Sequence, residues 1–287
     1  MSADTTTGPL RLAVVGHVEH ITLGRVPALP GPGEIVHLEA PRWFPGGGGG
    51  VPFWQMVNGP TEVHFFTALG DDEAGSAVAE ELARSGARIH AARRAEPHTR
   101  NLVMVTPDAE RTIIVVGEPQ HPRREDPLPW ELLARCDAAY FTAQDPAALR
   151  AARAARLLIV TARRREALER AEITADVVLG SALDGREVSR LADYPRPPRA
   201  LVLTEGPAGG RIETAEGVVR FRAPPPPSKL VGAYGAGDSF AGALAFYLAA
   251  GLPLPEACER AGRHGAAVLA GLDPRDHQLR LALAPSA

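Results

Sequence analysis

The chain is 287 residues long and 45% apolar, with a formal net charge of −3. That is enough for one large or two small domains with a sizeable core, and the charge is too balanced to imply a nucleic-acid partner. Two cysteines in no metal spacing, no basic-plus-apolar leader at the amino end and no apolar run long enough for a bilayer lead to the expectation of a cytoplasmic protein with free thiols and no membrane association.

Residues 10–16 form a short apolar run ending in Gly16, as expected of a buried parallel strand. Residues 17–26 alternate, Pro30-Gly31-Pro32-Gly33-Glu34 marks a turn, and residues 35–39 alternate again, which reads as a small antiparallel flap outside the main sheet. Trp43 and Phe44 then lead into the glycine run 46–50. Such a run is conformationally costly. It is either a loose linker or a backbone lying directly on a small polar ligand, and both readings stand at this point. Residues 61–70 predict a strand, and residues 71–86 a helix with acids in its first turn, Val78 and Leu82 on one face and Gly86 closing it. Residues 101–106 and 111–116 flank Pro107-Asp108-Ala109-Glu110 as a hairpin.

Short apolar strands follow at 137–141, 157–160, 175–179 and 200–204, with helix-like segments between them. A second hairpin is expected over 211–214 and 218–222, and helices over 239–250 and 255–270. Strand and helix alternating at this spacing predict an α/β fold: a doubly wound, mostly parallel central sheet with helices on both faces, plus a small antiparallel β lid. The lid strands fall within 17–42 and 98–117 of one domain spanning 1–287. The basic runs Arg93-Arg94 and Arg163-Arg164-Arg165 have no interleaved aromatics and read as solvated faces.

The chemistry concentrates at Gly232-Ala233-Tyr234-Gly235-Ala236-Gly237-Asp238-Ser239, which stands between a proline run and an apolar helix. Glycines let backbone N–H groups converge on a ligand, and a helix start carries unpaired N–H groups that suit an anion. An Asp in that turn can take a proton from a hydroxyl attacking a phosphorus held by the same amides. Asp and Ser are also ordinary helix N-caps, so Asp238 has a purely structural reading as well.

This loop resembles the Gly-Ala-Gly-Asp signature of the ribokinase-like (PfkB-type) carbohydrate kinases. The likeness continues in family order through Val14-Val15-Gly16, Pro30-Gly31-Pro32-Gly33-Glu34, Pro45-Gly46-Gly47, Thr67-Ala68-Leu69-Gly70-Asp71-Asp72-Glu73-Ala74-Gly75, Arg111-Thr112-Ile113 and Thr204-Glu205-Gly206 to Gly209-Gly210. The resemblance implies a ribokinase-like fold and ATP-dependent phosphorylation of a sugar or nucleoside hydroxyl. It implies Asp238 as general base, with the amides of Gly235, Ala236 and Gly237 on the transferring phosphoryl group. Gly46, Gly47, Glu19 and Arg111 fall on the acceptor side, and Thr204, Gly206, Gly209 and Asp184 on the nucleotide side. Mg²⁺ would accompany ATP, with Asp184 and Glu187 as its candidate ligands, and the lid could pair two copies into a homodimer.

The departures from the family pattern fall mostly on the acceptor side. Glu19 and Ile21 stand where an Asn and an Asp usually hold sugar hydroxyls, Val51 stands for an Asn after the di-glycine, and Ser181-Ala182-Leu183-Asp184, with Glu187 nearby, replaces an Asn-x-x-Glu. Pro52 and Asn58-Gly59-Pro60 interrupt the helix expected after the di-glycine. Gly232-Ala233 replace an Asp-Thr often tied to a monovalent-cation site, which leaves that cation a doubtful cofactor. Lost hydrogen bonds to hydroxyls change discrimination strongly, so an acceptor other than the usual pentose or hexose is expected, with His17 and Glu19 as an alternative polar set and His20 on the lid surface. Trp43, Phe44, Phe53 and Trp54 could stack a nucleoside base, though lid packing is the favoured reading. A ligand-binding or regulatory relative with weakened catalysis is the other alternative.

Overall fold

The computed structural model describes residues 8–283, so the amino end read above for a leader lies outside them. Among the described residues the main sheet has nine strands, in the order β13-β12-β11-β10-β9-β8-β1-β4-β5. These are β1 (Leu10–Val15), β4 (Thr61–Gly70), β5 (Arg88–Arg94), β8 (Ala138–Phe141), β9 (Leu158–Thr161), β10 (Val177–Ser181), β11 (Ala200–Thr204), β12 (Gly210–Thr214) and β13 (Gly217–Phe221). Strands β5 through β11 pair in parallel, and β12 and β13 close one edge antiparallel.

The alternation of a strand's side chains sorts its apolar residues onto two faces. Leu12 and Val14 of β1 enter one core with helices α1 (Gly47–Val57), α2 (Glu73–Ala83), α5 (Ala236–Ala249) and α6 (Leu254–Ala267). Ala13 and Val15 enter the other with α3 (Pro146–Ala152), α4 (Arg165–Ala171) and the short helix at Trp130–Arg135. Burial on both faces is why these strands read as unbroken apolar runs. Strand β5 is half-exposed, arginine-rich and at the sheet edge, and its sequence carries no such signal.

The lid is a four-stranded sheet in the order β3-β2-β6-β7, from β2 (Glu19–Arg25), β3 (Glu39–Gly46), β6 (Arg100–Val105) and β7 (Arg111–Val116). Two antiparallel pairs, β2–β3 and β6–β7, are joined by a parallel β2–β6 pair. The strand expected over 35–39 is displaced: residues 35–38 are irregular, Ile35 is exposed, and the strand is Glu39–Gly46 instead. Pro41 and Pro45 hide it in the sequence, but β3 lies at a sheet edge, where proline is tolerated.

The glycine run is not a loose linker. Gly47 opens α1, and the helix runs through Pro52 rather than breaking there. Proline in a helix interior costs about 3 kcal/mol; here Val51, Phe53 and Met56 are buried around it, and Phe53 stacks on Phe65 at 4.9 Å. The basic runs are also not solvated faces throughout. Arg94 makes two 2.8 Å bonds to Asp126, and Arg163 is paired to Asp184 and Glu187.

Helix α2 begins where Asp72 accepts a hydrogen bond from the N–H of Gly75, at 2.9 Å. A Cβ on Gly75 would lie 2.1 Å from the backbone oxygen of Gly70, an overlap that no side-chain rotation relieves. Gly75→Ala is therefore expected to cost about 3 kcal/mol and lower Tm by roughly 6 °C, while Gly185→Ala, with open space around its Cβ, leaves Tm unchanged. Thermal denaturation of both variants beside wild type checks the contrast, and equal midpoints would show that the turn relaxes freely.

Candidate active site

From β1 the sheet extends one way through β4 and the other way through β8, so the chain crosses over at the β1/β8 boundary. Open α/β sheets place ligands beyond the carboxyl ends of the strands at such a switch point. His17 follows β1, Thr142 follows β8, Arg163 and Arg164 follow β9, and Asp184 and Glu187 follow β10. The approach is close: a Cβ on Gly16 would stand 2.2 Å from Thr142 Cγ2.

Helix α5 starts over this edge. Gly235 holds the left-handed conformation, φ 82°, which turns the chain into the helix. No side chain caps it, and among the described residues the N–H groups of Ala236, Gly237 and Asp238 have no intramolecular partner. A Cβ on Gly237 would meet nothing within 4 Å, so the turn is open on its outer side. Asp238 does not cap its own helix. Burial raises its carboxyl pKa to about 6; the nearby charge of Glu187 adds to the rise, while Arg111 and Arg163 oppose it. Arg111, on exposed β7, thus acts across from the lid onto the same carboxylate.

Gly46 and Gly47, expected on the acceptor side, lie under side chains. A Cβ on Gly47 (φ 78°) would stand 2.6 Å from Glu19 Oε2, and one on Gly46 would stand 2.8 Å from the Tyr234 hydroxyl. The amides at the start of α1 are already used: Gly47 N–H donates to Tyr234 Oη at 3.0 Å, and Gly48 N–H to His17 Nε2 at 3.3 Å. Glu19 is buried, with its Oε2 accepting from Asn101 Nδ2 at 2.7 Å and its Oε1 3.6 Å from His17 Nε2. Burial, with the Asp238 charge second, raises its pKa to about 7. Burial and the Arg164 charge lower His17 to about 3, so its ring is neutral. Ile21 and Val51 are sealed in the lid core with Phe44 and Tyr234 and offer nothing to a polar ligand. His20, expected at the lid surface, stacks on half-exposed Trp43 with ring centroids 5.1 Å apart.

On the other side, Thr204 ends β11, and Gly206 and Gly209 (φ 58° and 88°) form a tight turn closed by Gly209 N–H to Gly206 C=O. Gly206 is exposed, and a Cβ on Gly209 would collide with Phe221 O at 2.1 Å. Asp184 and Glu187 come together around Arg163, and Glu187 also accepts from Ser181 N–H at 2.8 Å. Their oxygens have the hard-donor chemistry that Mg²⁺ takes, but Arg163 engages both, and among the described residues no group of three or more His, Cys, Asp or Glu side chains could hold a metal. The side chains present therefore do not by themselves fit a protein-held Mg²⁺.

Tyr234, Asn101, His121, Thr142 and Arg164 complete the site and were not expected there. Tyr234 lies beside the glycine loop and Asn101 is the second residue of a lid strand, which gave a weak signal. His121 comes from an irregular stretch, and Arg164 from a run that reads as surface.

The model of the pfkB family carbohydrate kinases matches residues 10–175 and 175–276. No curated protein matches the sequence. The structure is similar to ribokinase from Thermotoga maritima (TM-score 0.76, 19% identity, 94% of this chain and 96% of that one), to Arabidopsis thaliana ribokinase solved with ribose and ATP (0.74, 17%, 95% and 96%), and to adenosine kinase from Sinorhizobium meliloti (0.75, 17%, 94% and 96%). The chain belongs to the pfkB family of carbohydrate kinases, with the ribokinase fold and its small lid sheet.

Glu19 has a thermodynamic consequence. A carboxyl whose folded pKa is raised binds its proton more tightly when folded, so its favourable contribution is complete below the unfolded pKa and disappears as pH rises through about 7. Glu19→Gln is expected to be more stable than wild type at pH 8, by about 3 kcal/mol, with the gap closing by pH 4. Thermal melts across that range check it. A constant gap would show that Glu19 ionises normally.

Proposed function

We propose that this family member is a kinase that transfers the γ-phosphoryl group of ATP to a hydroxyl of a sugar or sugar-like small molecule. The observation that carries the reading is Asp238: a carboxylate raised to about 6, in the first turn of α5, beside amides that have no other partner. The acceptor hydroxyl lies against Asp238, which takes its proton as the oxygen bonds to phosphorus and the bond to the ADP oxygen breaks. The amides of Ala236 and Gly237, with that of Asp238, meet the charge on the transferring group, and the fixed turn of Gly235 aims them. The exposed turn around Gly206 and Gly209 borders the nucleotide, as does Thr204. Mg²⁺ carried by ATP would supply neutralisation of the phosphates; Asp184 and Glu187, the carboxylates expected to hold it, are both engaged by Arg163. Gly232 and Ala233 bring no side-chain oxygen to a monovalent-cation site.

A nucleoside acceptor has less support. Of the four aromatics near the glycine run, Phe44 and Phe53 are buried and the indole N–H of Trp54 is bound to Pro45 C=O, which leaves only Trp43 half-exposed. A non-catalytic binding role would leave the raised carboxyl beside open amides without a use. No helix of the described residues is long and apolar enough to cross a membrane.

Asp238 makes no capping hydrogen bond to its helix, so the near-isosteric Asp238→Asn is expected to keep Tm and the KM for ATP while kcat falls by roughly 10²-fold or more. Wild-type kcat/KM should rise with pH through about 6, the value at which Asp238 becomes the competent base. Full turnover in the variant would remove the assignment.

The lid supports a homodimer. Ile113, Ile114, Val115 and Val116 are 40% to 55% exposed on a free edge strand, so apolar surface is uncovered on both faces of β7. An uncovered apolar edge invites another strand, and a second copy presents the same surface in a self-complementary pairing. Gel filtration with light scattering should give a dimer, and Ile114→Lys with Val116→Lys a folded monomer. A monomeric wild type would refute the pairing.

A further inference from the structure

Arg164 is at odds with the rest of the chain. Every other half-buried arginine of the described residues has a carboxylate within 4 Å: Arg94 has Asp126, Arg153 has Asp176, Arg211 has Glu205 and Glu213, Arg260 has Glu256, and Arg275 has Asp273 and Glu81. Arg164 has none. Its Nε–H donates to Thr142 C=O at 2.8 Å, and its terminal nitrogens have no partner among the described residues. A half-buried guanidinium whose terminal nitrogens make no bond within the chain leaves its bidentate edge available to a ligand.

Its neighbours show what that edge faces. The charge of Arg164 acts on His17, Glu19 and His121, so it stands at the acceptor floor. His17 and His121 are more than nine-tenths buried, with rings 4.8 Å apart in an edge arrangement. Nδ1 of His17, both ring nitrogens of His121 and Oδ1 of Asn101 are buried without a partner. Unpaired groups of this kind, converging beside an unpaired cation, form a site for a polar anion. Both rings are held neutral, so they can bind hydroxyls without adding charge.

We propose that the acceptor carries an anionic group, a carboxylate or a phosphate, gripped by Arg164, with His17, His121 and Asn101 binding its adjacent hydroxyls. This deepens the kinase reading above and rests on it for the transfer step alone. The proposal places the anion at Arg164 and the phosphorylated hydroxyl at Asp238, on which Arg111 and Arg163 are the cations that act.

Binding is tested before turnover. Wild type and Arg164→Gln are titrated by calorimetry with three matched series: glucose, gluconate and glucose 6-phosphate; ribose, ribonate and ribose 5-phosphate; and fructose with fructose 6-phosphate. At least one anionic probe should bind 10-fold or more tighter than its neutral counterpart, and Arg164→Gln should weaken it by roughly 30-fold while neutral probes change little. Whether the sugar acids or the sugar phosphates respond identifies the anion. ADP release then separates the two readings. With a responding probe, Arg164→Gln should raise KM for that acceptor and leave kcat within about threefold. Anion binding through Arg164 without ADP release would sustain this proposal and sink the kinase reading. Neutral probes binding as well as anionic ones, or an Arg164→Gln effect on KM for ATP instead of the acceptor, would overturn the proposal. Arg164→Lys, which keeps the charge but loses the planar fork, should recover part of the affinity and serves as the folded control.

Discussion

The site depends on a close approach of backbone at the point where the sheet divides. Gly16 leaves no room for a Cβ against Thr142, and a Cβ on Gly49 would lie 2.4 Å from His17 O. Gly49 N–H also donates to that His17 carbonyl at 3.0 Å. These contacts press the start of α1 against the end of β1. Once they are made, Glu19 has to cover Gly47, His17 Nε2 has to receive Gly48 N–H, and Tyr234 Oη has to receive Gly47 N–H. A side chain of even one carbon at these positions would lift the helix and open the acceptor floor to water. The glycine run therefore serves packing before it serves any ligand.

Tyr234 links that floor to the second half of the site. It is buried and holds the α1 amide with its hydroxyl, and one residue on, the left-handed Gly235 starts α5. Gly242 of α5 has no room for a Cβ against Pro52 O, at 2.7 Å, so the two helices are packed backbone to backbone. The position of Asp238 over the switch point is thus set by the same glycine-mediated packing that places Glu19. Two carboxyl groups with raised pKa values in one cleft are costly to keep ionised. Such a cost at a functional site is carried by the two apolar cores on either side of the sheet.

What could be read from the sequence follows from this packing. Parallel strands buried on both faces carry a local signal, and β1, β4 and β11 lie close to where the apolar runs put them. The Gly235-Ala236-Gly237-Asp238 turn was legible because its chemistry and its local geometry are the same few residues. The rest was set by tertiary context. Edge placement permits the prolines of β3, burial of Phe53 and Met56 carries α1 through Pro52, and the half-exposed edge strand β5 has no apolar pattern to detect. Arg163 and Arg164 are adjacent in a basic run, yet one is neutralised by Asp184 and Glu187 and the other is not, a distinction that exists only once β9 and β10 lie side by side.

That difference organises the charge in the cleft. Arg163 is already committed to two carboxylates on the β10 side, and Arg111 reaches Asp238 from the exposed lid. Arg164 is the least exposed of the three, and its terminal nitrogens have no partner among the described residues. A fold that pairs each of its other half-buried arginines leaves this one partly desolvated with no carboxylate beside it, which is a cost. A neutral acceptor would not recover that cost, because a hydroxyl accepts one hydrogen bond from a guanidinium where a carboxylate or phosphate accepts two and cancels the charge. The positions that in relatives carry an Asn and an Asp for sugar hydroxyls are here Glu19, whose second oxygen is held by Asn101, and Ile21, which is sealed in the lid core. On the proposal above, recognition would shift from an amide and a carboxylate at the start of β2 to Arg164 after β9, with the neutral imidazoles of His17 after β1 and His121 after β7 beside it.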